Sequence, residues 1–153
     1  FRGMRMLDGL WQAGCRVPPL PDGGHPGPLL LESMPGAALR AFGLPFKGYK
    51  KGQRAVELRR KILDGLESRS GVKIPNLARF DDRCIGNDDC LDSVVASVAA
   101  CLWSLNHALF RLPQDGPGDP TSRGGTPHSD ENELAAARLE GWLYAPVFLN
   151  GDH

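Results

Sequence analysis

Residues 29–32 read Leu29-Leu30-Leu31-Glu32, and the expectation of a sheet in this chain rests on them. An unbroken apolar run bounded by turn residues suits a short strand buried on both faces. The stretch before it, 17–28 (VPPLPDGGHPGP), is punctuated by proline and glycine throughout and excludes regular structure. After it, Glu32 closes the strand. Ser33 is then a candidate cap for a short helix with Pro35 in its first turn and Gly43 as its stop. An acid at the end of a buried strand lies where open α/β sheets present their ligands. The plainer reading is a solvated glutamate, because Glu is rarely buried without a partner.

Further out, the spacing predicts helices on both sides. Residues 4–13 suit a short helix. In 51–68, Ala55, Leu58, Ile62 and Leu66 form one apolar stripe, and Glu57 with Lys61 adds an i,i+4 pair on the wet side. Residues 70–86 read as a connection broken at Pro75. The strongest segment is 88–110, where Leu91, Val95, Val98, Leu102, Leu105 and Leu109 recur at helical spacing. Val94, Ala96, Ala99, Ala100 and Trp103 on its other faces predict a largely buried helix. Residues 112–129 read as a flexible Pro/Gly-rich loop. Asp130 with Glu133 resembles a capping box opening a helix over 131–139, and Glu140 to Tyr144 reads as a last strand. The chain is expected to form a single domain over 1–153.

Composition excludes more than it selects. The chain has 153 residues and zero formal net charge, so no overall charge marks a nucleic-acid, membrane or acidic partner. No run reaches the roughly 20 apolar residues of a membrane span, and Arg2, Arg5 and Asp8 interrupt the start where a signal peptide would be apolar. The spacing of Cys15, Cys84, Cys90 and Cys101 matches no zinc pattern, which favours free thiols in a reducing, cytoplasmic setting.

The zero sum hides two opposite segments. From 47 to 61 there are seven basic residues against one acid, and from 81 to 92 five Asp against one Arg. Asp89 and Asp92, at i,i+3, share one helical face at the start of the 88–110 helix. Asp is common there as a cap and as a partner of the helix dipole. Asp88, Asp89 and Asp92 together are more anions than a cap needs, and carboxylates so close favour a cation between them. Magnesium, a hard ion that takes carboxylate oxygens, suits that chemistry. In the basic segment, Lys47, Lys50, Lys51 and Arg54 are candidate phosphate contacts and Tyr49 a candidate base-stacking ring. An ordinary solvated helix face is the alternative.

In order along the chain stand Leu-Leu-Leu-Glu32-Ser-Met-Pro, Gly48-Tyr49-Lys50, Asp89-x-x-Asp92-Ser-Val-Val-Ala-Ser and Glu140-Gly141-Trp142. This series, from about Arg2 to Pro146, resembles the domain of unknown function 429 family, nucleases by prediction within the ribonuclease-H-like superfamily. It is similar, more distantly, to the Holliday-junction resolvase branch, whose final helix carries Asp-x-x-Asp. The resemblance implies an α/β fold, a ribonuclease-H-like mixed sheet with flanking helices. It implies a magnesium- or manganese-dependent nuclease, with Glu32, Asp89 and Asp92 as catalytic metal ligands and Glu140 in a structural or supporting role. In such a domain a β-hairpin comes first and its leading strand carries an essential Asp. No such strand precedes Phe1, and Ser93 stands where Ala is usual. The chain alone is therefore expected to be inactive and to self-associate through an exposed sheet edge. The alternative is a non-catalytic module for binding nucleic acid or assembling with another protein.

Overall fold

A computed structural model describes residues 2–17, 24, 26–110 and 146. Five α-helices follow in order among them: α1 (Arg2–Gln12), α2 (Pro35–Ala41), α3 (Ala55–Ser70), α4 (Asp81–Gly86) and α5 (Asp88–Leu105). Two 3-10 turns, Leu77–Phe80 and His107–Leu109, precede α4 and follow α5. No described helix is long and apolar enough to cross a membrane. The chain divides into two compact units, one of Phe1–Glu32 with Leu112–Tyr144, the other of Ser33–Arg111 with Ala145–His153. The expected features at 112–129, 131–139 and 140–144, Glu140 among them, lie outside the described residues.

The expected α/β architecture is corrected here: the described residues contain helices and no sheet. Leu29 makes only an isolated parallel bridge with Arg16, through Arg16 N–H to Pro28 O (2.9 Å) and Leu30 N–H to Arg16 O (2.8 Å). Leu29, Leu30 and Leu31 are half-buried, and Glu32 is exposed. A strand buried on both faces belongs to a sheet covered on both sides, and three half-buried residues with one short pairing to Arg16 make no such sheet. The sheet edge through which self-association was expected has no counterpart among the described residues. Gly27 lies so close to Gly14 O that a β-carbon there would collide with it, which fixes a glycine at this crossing.

The second unit is a helical core built on α5. Leu91, Val95, Val98 and Leu102 are buried, as the stripe requires, and α5 packs against α2, α3 and α4. α2 contributes Ala38 and Leu39, and α3 contributes Ala55, Ile62, Leu63 and Leu66. Pro35 occupies the first turn of α2, but Ser33 does not cap it; Met34 stands at the N-cap with no side-chain bond. Gly43, at φ 67°, takes the left-handed turn that ends the helix. α5 stops at Leu105, five residues short of the expected end. There Asn106 accepts from Ala108 N–H (3.2 Å) and starts a 3-10 turn, leaving Leu105 exposed. The 70–86 connection holds α4, buried through Cys84.

Candidate functional site

The first turn of α5 carries the acids, and their neighbours decide what they do. The N-cap is Asn87, whose side-chain oxygen accepts from Asp89 N–H (2.8 Å) and Cys90 N–H (3.3 Å). The capping role is therefore filled without the aspartates. Asp88 and Asp89 stand in the first turn, where the helix dipole favours negative charge. Asp92 lies one turn further on, with its side chain only 16% exposed.

Tyr49 and Lys50 converge on Asp92. Tyr49 Oη donates to Asp92 Oδ1 (2.8 Å), and Lys50 Nζ donates to Asp92 Oδ2 (2.7 Å). Gly48, at φ 75°, makes the left-handed turn just before them. Two motifs more than forty residues apart thus meet at one carboxylate. Tyr49 is 2% exposed, so its ring faces the core and offers no surface for a base to stack on. Burial first, and the bond to Asp92 second, hold its phenol well above the ordinary tyrosine value. Lys50 is raised too, chiefly by its bond to Asp92, with Asp88 and Asp89 adding to the field at its ammonium.

Arg59 fixes the geometry of the Tyr49–Lys50 turn, a role that its place in a basic run does not single out. It is buried, 7% exposed, in the basic run of α3. Its Nη1 donates to Tyr49 O (2.7 Å) and at longer range to Lys50 O (3.4 Å), while Nε donates to Ile85 O (2.6 Å). One guanidinium thus ties the Tyr49–Lys50 turn and the end of α4 to α3. A fork of fixed donors is suited to several carbonyls at once.

The other basic residues divide. Arg54 and Lys61 both pair with Glu57 on the surface of α3, at 3.3 and 2.9 Å. Those partners hold the Glu57 carboxyl down at about 2, Arg54 contributing most. Lys47 and Lys51 are exposed and have no carboxylate partner among the described residues. Glu32 belongs to the other compact unit. Among the described residues no three His, Cys, Asp or Glu side chains form a group able to hold a metal ion. The four cysteines are free, with Cys15 and Cys84 buried.

The class of site in hand is a helical unit with an acidic helix start, where Asp92 pairs with one lysine and accepts a hydrogen bond from a buried, neutral tyrosine. The family profile described as "Protein of unknown function (DUF429)" matches residues 21–116, more than half of the chain and all of this site. The chain belongs to the DUF429 family. No curated protein and no solved structure matches it.

Proposed function

We propose that the chain belongs to a metal-dependent nuclease and that the start of α5 is its cation-binding element. The observation that carries this reading is the ammonium of Lys50, 2.7 Å from Asp92 within the field of Asp88 and Asp89. It is a stand-in: a positive group already occupies the place where these acids draw one. Hard carboxylate oxygens on one helical face fit magnesium or manganese, which are bound through one or two carboxylates with waters and substrate phosphate completing the shell. Asp89 and Asp92 would hold the ion, and the ion when bound would polarise a phosphate oxygen and activate water. The reading rests on the second unit alone and assigns no geometry to Glu32.

The chain's own residues have defined tasks in this scheme. Tyr49, kept neutral by burial, holds Asp92 through Oδ1 without competing for charge. Lys50 is 54% exposed, so its flexible stem can carry the ammonium from Asp92 to a phosphate. Lys47 and Lys51 extend the positive surface beside it. The test is cleavage of an end-labelled strand by the purified chain with magnesium or manganese, beside an Asp92→Asn variant. Metal-dependent cleavage that the variant loses supports the proposal, and cleavage that survives in the variant refutes it. The pairing of Asp92 with Lys50 also favours a second reading, a non-catalytic nucleic-acid-binding module. Because the chain alone is expected to be inactive, the discriminating result is metal binding: that reading expects nucleic-acid binding with no manganese held at Asp92.

A further inference from the structure

Tyr49 was the aromatic residue expected to stack on a base, and it is buried. The exposed aromatic ring beside the basic turn is Phe46, 38% exposed and three residues earlier. Two cations lie over its ring: the Arg40 guanidinium carbon is 5.8 Å from the centroid and Lys47 Nζ is 5.5 Å from it. These distances are near the outer limit of cation–π attraction, about 6 Å. Neither Arg40 nor Lys47 has a carboxylate partner among the described residues, in contrast to Lys50, Arg54 and Lys61. Both sit at the edge of the α2 end and the turn that leads to Tyr49 and Lys50. The Cα atoms of Phe46 and Tyr49 can be at most about 11 Å apart, the reach of three residues.

We infer that Phe46, Arg40 and Lys47 form a binding platform for single-stranded nucleic acid next to the Asp92 site, with the Phe46 ring stacking on one base and the two cations taking its flanking phosphates. An aromatic face takes any unpaired base, and neighbouring cations follow the backbone. A duplex keeps its bases stacked on each other and offers no such face. An exposed phenyl ring with two cations near its face and no carboxylate beside them suits a ligand that is both aromatic and anionic. The inference rests on the nucleic-acid reading above and names its substrate class.

The experiment is fluorescence anisotropy of the full chain with a labelled single-stranded oligothymidylate and with a matched duplex, each titrated with salt. Phe46→Ala should weaken binding of the strand by roughly 5- to 150-fold, the range for a lost base–aromatic stack. Phe46→Trp should retain wild-type affinity, and the duplex should be little affected by either change. Lys47→Ala should reduce the log–log salt slope for the strand by about 0.7. Equal strand affinity in wild type and Phe46→Ala would overturn the platform, as would an equal loss on the duplex. Binding of anionic phosphatidylserine vesicles through Phe46, with no binding of the strand, would overturn it in favour of a membrane surface. Phe46-dependent strand binding with manganese affinity that Asp92→Asn leaves unchanged would uphold the platform while refuting the nuclease reading. Asp92-dependent cleavage with Phe46-independent binding would do the reverse.

Discussion

Lys50 Nζ stands 2.7 Å from Asp92 Oδ2, joining residues forty-two positions apart at the start of α5. The lysine side chain is 54% exposed and that of the aspartate 16%. A contact so open to water contributes little to folding, about 1 kcal/mol or less. Lys50→Ala should therefore unfold in urea within about 1 kcal/mol of the wild type. A much larger loss would mean that the pair is a structural clamp.

Tyr49→Phe should cost more than Lys50→Ala. It keeps the buried ring and removes the hydroxyl that donates to Asp92. A bond to a charged group is worth roughly 1.5–3 kcal/mol. The urea midpoint should fall accordingly with an unchanged slope.

The same contact sets a pH dependence. The Tyr49 phenol is raised in the folded state, so its stabilisation is complete below the unfolded tyrosine value of about 10. It is lost as pH rises through the folded value. In an alkaline titration followed by tyrosinate absorbance, one of the two tyrosines should resist ionisation until the fold opens. Asp92→Asn should bring that step down only part of the way, because burial is the larger cause. Two tyrosines ionising together near pH 10 in the folded wild type would contradict the buried, bonded phenol.

Arg59→Ala should destabilise the second unit by at least about 2 kcal/mol, since it leaves the carbonyls of Tyr49 and Ile85 without their donor. Arg59→Lys should recover only part of this, because one ammonium lacks the fork that spans both carbonyls. Full recovery by lysine would show that the charge, not the geometry, is what matters at this position.

The core of α5 gives a sharper stability test. Leu91 is fully buried, so Leu91→Ala should cost about 2–5 kcal/mol. Asn87→Ala removes the cap of the same helix and should cost about 1 kcal/mol. A negligible effect of Leu91→Ala in thermal unfolding would contradict the packing of α2 and α3 on α5.

These elements also separate what was legible in the sequence from what was not. The α5 stripe was legible because four buried positions at helical spacing leave little alternative. The stripe of α3 and the Glu57–Lys61 pair were legible for the same reason. The Leu29–Leu31 run was misread as a strand because a short apolar run carries no period of its own. Tertiary context gave it one bridge to Arg16 and no sheet. α4 was missed because six residues are too few to show a stripe. The acids of α5 were picked out from charge density, but the partners of Asp92 lie over forty residues away, beyond any local pattern. Tyr49 and Arg59 sit inside a basic run that reads as surface, and only the fold reveals that both are buried.

If Lys50 holds the place of a divalent cation at Asp92, removing either side chain alters manganese binding, which calorimetric titration measures. The wild type, Lys50→Ala and Asp92→Asn should be compared at one pH and ionic strength. Lys50→Ala should bind manganese roughly two- to fivefold more tightly than the wild type, the equivalent of an exposed ion pair of up to about 1 kcal/mol no longer competing. Asp92→Asn should lose binding. Manganese affinity unchanged by both substitutions would contradict that role of Lys50.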